Sequence, residues 1–309
     1  MRILVGKTFG IGNACLAIPM IKAIASLGHD VDVLIGDGPD DFGAYEVFRE
    51  LRRRGDEPVI NKIYRGCVPF AVDIYDLAIM AIPYDGRWRN GLDFFAREVM
   101  DGRKRPDNIE RLGFDMWKKH EVEYMMENAR DLGFKGETPD GSFLESHDRT
   151  DDVVYLGIGY KRDAGGFGAS KHFGNARFGA LIQAIWEIRP STRFVSTGSQ
   201  RDAIESGFPI TRSLGIELVD RTNSYRMEVT SLERSLSVVN DCVAYIGNDT
   251  GMMHVAASAG IPTMGLFAYP DLIVKNPPFC ARSRALSFSP SGPSASDVAR
   301  QFVDFVWGE

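Results

Sequence analysis

Short apolar runs alternate with segments of helical apolar spacing along the first half of the chain. An apolar run of four to eight residues between turn residues is typical of a buried strand, and apolar residues three and four positions apart indicate a helix. Strands are predicted at residues 1–5, 31–35, 59–64 and 75–82, and helices at residues 14–27, 45–54 and 118–132. This order predicts βα units around a parallel sheet that is covered on both faces.

The same alternation restarts after residues 136–152, which are rich in Gly, Pro, Ser and Asp, as a linker is. Strands are predicted at residues 153–158, 193–197, 216–218, 243–246 and 263–267, and helices at 176–188, 201–205, 231–239, after residue 250, and at 296–307. The sequence therefore predicts an α/β protein of two Rossmann-like domains, residues 1–140 and 141–295, with parallel sheets facing a central ligand cleft. The C-terminal helix, residues 296–309, is expected either to stay with the second domain or to pack back on the first.

Composition narrows the class of protein. The chain has 309 residues, 44% of them hydrophobic, which is enough for a sizeable core. A net charge of −6 argues against a protein that coats nucleic acid with its whole surface, but it allows a local basic patch. The four cysteines lack metal-binding spacing, and no apolar run approaches the roughly 20 residues of a membrane span. We expect a cytoplasmic protein without a signal peptide, membrane span or metal site.

The segment from residue 245 to 254 is the strongest candidate for chemistry. An apolar strand stops at Gly247-Asn248-Asp249-Thr250-Gly251, and a helix of small residues follows. The amides of a helix's first turn have no intrahelical partner, and together with the helix dipole they suit a phosphate. Asp249 or Thr250 can cap the helix, Gly251 permits close approach of a ligand, and His254 lies one turn further on the same face. An ordinary βα turn with a capping Asp is the alternative.

A Gly-rich loop at residues 6–13 precedes the first helix. Its Gly-Lys-Thr stands at the start of the loop, whereas a Walker A motif needs it at the end. The loop also lacks GxGxxG spacing, which disfavours a nicotinamide-dependent dehydrogenase. Gly10 and Gly12 still permit close approach of a ligand, and Asn13 is predicted to be the N-cap of a helix that begins at residue 14.

Together these residues resemble the heptosyltransferase family, glycosyltransferase family 9, whose members have the two-domain fold called GT-B. The segment from Asn248 to His254, with the small-residue helix and the Gly260, Pro262 and Phe267 that follow, is similar to the family's donor-site signature. Further resemblances are Lys171-His172-Phe173, Thr197-Gly198-Ser199, Lys119-His120-Glu121-Val122-Glu123, and the N-terminal strand and loop, residues 2–5 and 10–19.

The resemblance implies transfer of a sugar from a nucleoside diphosphate, for example an ADP-linked heptose, with inversion at the anomeric carbon and no metal or cofactor. Negative charge develops on the leaving phosphate, and fixed donors must stabilise it. Lys171 is assigned that catalytic role, Asp249 is expected to hold a sugar hydroxyl, and His254 either binds the phosphate or braces the turn. The implied donor-binding residues are Ser170, Thr197, Gly198, Gln200, Asp249, Thr250, Gly251, Met252 and His254.

Two positions depart from the family pattern. Where members carry an aspartate that serves as general base, this chain has Asn13, and a neutral amide is no useful proton acceptor. Either Asp85 or Asp37 takes the role, or Asn13 only positions the acceptor, or the acceptor is already acidic. Gln200 stands where the family often has a glutamate contacting the ribose, which puts the nucleotide in question.

The acceptor side is assigned to the N-terminal loop and nearby basic residues. The implied acceptor-binding residues are Lys7, Gly10, Gly12, Arg87 and Arg89. An anionic glycan or a lipid-linked saccharide is the expected partner, and a hydroxylated DNA base ranks below it. Basic residues 103–105 suit each of these, as well as peripheral contact with a membrane. A catalytically idle module that binds a sugar nucleotide is the remaining alternative, motivated by Asn13.

Overall fold

The chain forms two compact units, Met1–Leu144 and Glu145–Glu309. Their boundary falls inside the predicted linker, residues 136–152. The computed structural model describes residues 1–7, 10–36, 42–53, 59–66, 75–81, 99–101, 119–144, 149, 152–159, 172–198, 224–288 and 292–308. In this part of the chain no helix is both long and apolar enough to cross a membrane.

The first unit contains a parallel sheet of five strands. In chain order they are β1 (Arg2–Lys7), β2 (Asp30–Ile35), β3 (Lys62–Arg65), β4 (Leu77–Met80) and β5 (Val99–Asp101). Their order in space is β3-β2-β1-β4-β5. The chain therefore winds outward in one direction from β1 to β3 and then in the other direction from β4. Ligands of such sheets bind where the winding reverses, here at the carboxyl ends of β1 and β4.

Three helices are described in the first unit: α1 (Ile11–Ser26), α2 (Phe42–Arg53) and α3 (Glu121–Asp131). The central helix α1 is apolar almost all round and packs against both of the others. Its start corrects the sequence prediction. The N-cap is Gly10, at φ +36° and without a side-chain cap, so Asn13 lies in the first helical turn and is not the N-cap. Glycine adopts this positive φ without the penalty that a side chain would add.

The second unit contains a parallel sheet of six strands. They are β6 (Val153–Gly157), β7 (Arg193–Gly198), β8 (Ser224–Val229), β9 (Ala244–Asn248), β10 (Thr263–Phe267) and β11 (Ser283–Ser287). Their order in space is β11-β10-β9-β6-β7-β8. The winding reverses between β6 and β9, which pair with Gly157 opposite Gly247. The predicted donor signature thus begins at the reversal point of this sheet.

Five helices are described in the second unit: α4 (Asn175–Ile188), α5 (Leu232–Asn240), α6 (Gly251–Ser258), α7 (Pro270–Lys275) and α8 (Ala295–Trp307). The last helix starts at a capping box formed by Ser294 and Asp297. Its apolar face, including Phe302, is buried in the core of the second unit against α4. The C-terminal helix therefore belongs to the second unit. The sequence alone allowed it to pack on either unit.

Most of the predicted elements are present, with ends shifted by a few residues. The sequence did not predict β5, β8, β11 or the short helix α7. The predicted helix at residues 201–205 and the predicted strand at 216–218 lie outside the described residues. Cys15, Cys242 and Cys280 are free thiols, the first two buried, and Cys67 lies outside the described residues.

Candidate functional site

The turn between β9 and α6 is open at the carboxyl edge of the second sheet. Asp249, Thr250, Gly251 and Met252 are all partly exposed. Thr250 is the N-cap residue in extended conformation, and among the described residues no side chain caps the helix. The first amides of α6 therefore point to the reversal point of the sheet, as an anion site requires. His254 is buried, with 5% of its surface exposed.

Two glycines allow the central strands to meet under this turn. A Cβ atom at Gly247 would overlap the backbone of Gly157, and one at Gly157 would overlap the hydroxyl of Tyr245. That hydroxyl lies directly beneath the turn: it donates to the carbonyl of Asn248 at 3.0 Å and lies 3.5 Å from Thr250 Oγ1. Burial raises the pKa of Tyr245, so the phenol stays protonated and remains a donor.

A second tyrosine supports the neighbouring loop. Tyr155 on β6 stacks on Tyr245, with ring centroids 5.7 Å apart. Its hydroxyl lies 2.7 Å from Thr197 Oγ1 and accepts a hydrogen bond from the Thr197 amide at 3.3 Å. Thr197 and Gly198 end β7, which lies two strand positions from β9. Strands are about 4.8 Å apart, so these two predicted donor loops lie on the order of 10 Å from each other along one edge.

Asn248, the last residue of β9, connects the turn to the chain that follows β6. Its side chain is fully buried. Its Nδ2 donates to the carbonyls of Ile158 and Gly159, each at 3.1 Å, and its Oδ1 accepts from the amide of Phe173 at 2.9 Å. In the sequence, Asn248 is distinguished only as the first residue of the signature. Its contacts lie 75 to 90 positions away, so local sequence patterns could not reveal them.

The predicted acceptor residues that the structure describes lie in the first unit. Lys7 ends β1, and Gly10, Gly12 and Asn13 form the start of α1, beside the reversal point of that sheet. Asn13 is partly exposed there. The remaining predicted site residues, Ser170, Lys171, Gln200, Asp85, Arg87 and Arg89, lie outside the described residues, as do Asp37 and residues 103–105.

Metal binding was not predicted for this chain. In the ranges that the structure describes, no three or more His, Cys, Asp and Glu side chains are grouped so that they could hold a metal ion.

Part of the sequence matches a model of a known protein family. Residues 166–295 match the model of glycosyltransferase family 9 (heptosyltransferase). The matched segment contains Lys171, Thr197 and Gly198 at the end of β7, and the whole turn from Asn248 to His254. A comparison with curated proteins finds no match.

Solved structures of similar fold cover nearly the whole chain. E. coli heptosyltransferase WaaC with ADP is 17% identical at a TM-score of 0.70, covering 98% of this chain and 99% of its own. E. coli ADP-heptose lps heptosyltransferase II is 17% identical at a TM-score of 0.68, and the match covers 100% of this chain and 99% of that protein. A glycosyltransferase family 9 protein from Veillonella parvula DSM 2008 is 13% identical at a TM-score of 0.67, and the match covers 100% of this chain and 97% of that protein. At this identity the likeness concerns the fold.

These findings confirm the predicted GT-B fold and the predicted resemblance to heptosyltransferases. They also confirm, at the level of the matched domain, that the chain is a glycosyltransferase. Residues 166–295 are thus similar to glycosyltransferase family 9, the heptosyltransferases, and the remainder of the chain shares their fold.

Proposed function

We propose that the protein is an inverting glycosyltransferase that moves a sugar from a nucleoside-diphosphate sugar to a hydroxyl group of a glycan. The observation that carries this proposal is the turn from Asp249 to Met252. It is an uncapped helix start at the reversal point of the second sheet, within the segment that matches the family model. Because similar proteins are described with ADP or ADP-heptose, an ADP-linked heptose is the first donor to test.

The donor lies along the carboxyl edge of the second sheet in this proposal. The amides that begin α6 receive the diphosphate, and Asp249 beside them holds a hydroxyl of the sugar. The nucleoside extends towards Thr197 and Gly198 at the end of β7, with Gln200 as the contact to the ribose. This direction agrees with the separation of the two loops, which is on the order of 10 Å for two strand spacings.

The reaction is a single displacement at the anomeric carbon. The acceptor oxygen attacks from the face opposite the diphosphate, a new carbon–oxygen bond forms, and the bond to the phosphate oxygen breaks. The electron pair leaves with the nucleoside diphosphate, and the configuration inverts. The α6 amides and the Lys171 ammonium stabilise the charge on the leaving phosphate, so fixed donors supply the stabilisation in place of a metal.

The acceptor's proton needs a separate carboxylate. Asn13 lies in the first turn of α1, where its amide can orient the acceptor hydroxyl but cannot take the proton. We assign the base to Asp85, with Asp37 as the alternative, and the acceptor contacts to Lys7, Gly10, Gly12, Arg87 and Arg89. An anionic or lipid-linked saccharide fits this basic set, and a hydroxylated DNA base is the second acceptor to test.

Asn13 also favours a second candidate function, a module that binds a sugar nucleotide without turnover. The two functions differ in an assay of nucleoside diphosphate released from sugar nucleotides in the presence of saccharide acceptors. Transfer predicts release of one nucleoside diphosphate for each glycosidic bond formed, with the new bond in the inverted configuration. An idle module predicts saturable binding of the sugar nucleotide without release of nucleoside diphosphate. In that case Asn13→Asp would not produce release either.

A further inference from the structure

We infer that Asn248 is a positioning residue that fixes the residues directly after β6 and Phe173 before α4 against the donor turn. The inference rests on the proposed function for its ligand, a nucleoside diphosphate. It concerns the carboxamide of Asn248, which lies in the turn before α6. This group binds the two residues that follow β6 and Phe173, which precedes α4.

The nitrogen and the oxygen of this carboxamide bind different segments of the chain. Nδ2 donates to Ile158 and Gly159, the two residues that follow β6. Oδ1 accepts from Phe173, on the far side of residues 160–171. One side chain therefore holds Ile158 and Gly159 on one side and Phe173 on the other. No other residue type of this size offers two donors and an acceptor in one plane, so the position is specific for asparagine.

The surroundings make the carboxamide rigid. Asn248 is fully buried, and Phe173 is 4% exposed, packed edge-on against Phe178 and Phe288. The carbonyl of Asn248 is held in turn by the Tyr245 hydroxyl. A buried polar group that is fully satisfied fixes a single arrangement, whereas removal of its donors leaves two carbonyls unpaired. A change at Asn248 is thus expected to disturb donor binding without any contact to the donor.

Asn248→Asp tests this with one nearly isosteric change. An aspartate keeps the acceptor for Phe173 but loses both donors when it is ionised. Burial beside two carbonyls raises the pKa of such a carboxyl. Its protonated form donates to one of the two carbonyls and keeps that contact, and its ionised form repels both. The affinity for ADP should therefore fall as pH rises, by roughly tenfold relative to wild type at the same pH.

The matched control is Asn128→Asp in the first unit. Asn128 is 2% exposed, and its Nδ2 donates to the carbonyl of Met125 at 3.2 Å, so the substitution also introduces a carboxyl at a buried amide. It should lower stability and leave the affinity for ADP unchanged. Affinity is measured by calorimetric titration with ADP at about pH 5.5, 7 and 8.5, and thermal unfolding is followed on the same samples.

A pH-dependent loss of ADP affinity in Asn248→Asp alone supports the inference. Unaltered affinity at every pH overturns it, and so does an equal loss in Asn128→Asp, which would reflect general destabilisation. If Asn248→Asp does not fold at the higher pH, hydrogen exchange of the Phe173 amide in Asn248→Leu decides instead.

A second measurement does not depend on nucleotide binding. In Asn248→Leu the amide of Phe173 loses its acceptor and should exchange with solvent at least about tenfold faster, whereas Asn248→Asp should preserve its protection. If wild type binds no nucleoside diphosphate, the proposed function fails, and this exchange experiment still decides on Asn248. Equal exchange rates in Asn248→Leu and wild type would overturn its role.

Discussion

Individual residues decide the geometry of the turn after β9. The glycines at 157 and 247 let β6 and β9 approach at the point where a side chain would collide with backbone or with Tyr245. Gly10 has a comparable role in the first unit, because its φ of +36° starts α1 at Ile11. Both candidate sites therefore begin at a backbone feature that depends on glycine.

Gly247→Ala and Gly157→Ala should both destabilise the protein. The Cβ atom at 247 meets backbone, and the one at 157 meets the hydroxyl of Tyr245, which is fully buried and stacked on Tyr155, so neither neighbour can move aside freely. Overpacking of this kind costs about 1–3 kcal/mol, and we place both variants at the upper end. Urea unfolding measures the free energies. Gly159→Ala is the control, because its Cβ would meet nothing within 4 Å. Equal stability of all three variants would contradict the close approach.

Lys171→Ala should lower turnover by roughly 10²–10³-fold, as loss of a charge partner for a developing anion does. The effect should appear mainly in kcat, because the charge on the leaving phosphate grows towards the transition state. Steady-state release of nucleoside diphosphate gives both constants. Lys62→Ala, an exposed lysine of the first unit, is the control. An unchanged kcat would remove Lys171 from the mechanism.

Residue-level patterns predicted the signature turn but not every role within it. Asparagine is a favoured N-cap residue, so the sequence predicts a helix that begins directly after Asn13. In the structure the N-cap is Gly10, whose φ is positive, and the helix begins at Ile11. Asn248 was named for its place in a motif. Its function as a connector depends on residues that only the sheet topology brings near it.

Secondary-structure elements bring the donor loops to one edge. The strands β9, β6 and β7 are adjacent in the sheet, and the stacked tyrosines 155 and 245 lie on neighbouring strands as register partners. Each tyrosine hydroxyl supports the loop at the end of a strand. The spacing of the two loops is therefore set by a rigid aromatic pair within the sheet.

Tyr155→Phe should cost about 1 kcal/mol of stability, because Thr197 loses its partner within the sheet. Tyr245→Phe should cost a similar amount through the carbonyl of Asn248. Both variants should also bind ADP more weakly, by about twofold to tenfold, since each loosens one loop. Urea unfolding and calorimetric titration provide the two numbers. Ser294→Ala, which removes the cap of α8 instead, should cost a comparable free energy without a change in ADP affinity.

Strong hydrophobic patterns predicted the central strands, and weak patterns failed at every edge strand except β3. β5 has only three residues, and β11 is a half-buried edge strand. In β8 the charged residues Arg226 and Glu228 alternate with apolar ones, and the stretch was not recognised. Edge strands are specified by their neighbours more than by their own sequence, which is why local periodicity missed them.

At the scale of the whole molecule, the segment between the two units is fastened at both ends. In the first unit Lys22 Nζ donates to Asp140 at 2.8 Å and to Ser142 at 3.3 Å. In the second unit Arg149 donates to the carbonyls of Asn240 and Ala259, at the ends of α5 and α6. The predicted linker is therefore anchored on each side of the unit boundary at residue 144.

The Asp140 anchor predicts a pH-dependent part of the stability. Burial raises the pKa of this carboxyl, but hydrogen bonds from Lys22 and Ser142 outweigh burial and lower the pKa from 3.8 to about 2. Such a group stabilises the folded state above its unfolded pKa, and the contribution is lost as pH falls from 3.8 towards 2.

Asp140→Asn should therefore lower the free energy of unfolding near pH 7 by at most about 1 kcal/mol, since the side chain is 74% exposed and screened by solvent. The difference from wild type should shrink as pH falls below about 4. Urea unfolding at several pH values measures it, with Glu137→Gln on the same segment as the control. A difference that does not depend on pH would contradict the anchor.

The two-unit organisation was predictable because the linker differs in composition from the βα units on either side. The place of the last helix was not predictable, because an amphipathic face fits any apolar surface of suitable shape. Only the structure shows that Phe302 and its neighbours complete the core of the second unit.

In the proposed function, the turn from Asp249 to Met252 binds a nucleoside diphosphate. Thermal unfolding with ADP, GDP, UDP, CMP and NADH is a direct test, because a ligand at 100 times its dissociation constant stabilises the folded state by about 2.7 kcal/mol. We predict that one nucleoside diphosphate, with ADP as the first candidate, stabilises the protein. The same nucleotide should not stabilise Gly251→Val, because the valine side chain would occupy the phosphate position. Stabilisation by NADH alone, or equal stabilisation of Gly251→Val, would contradict the claim.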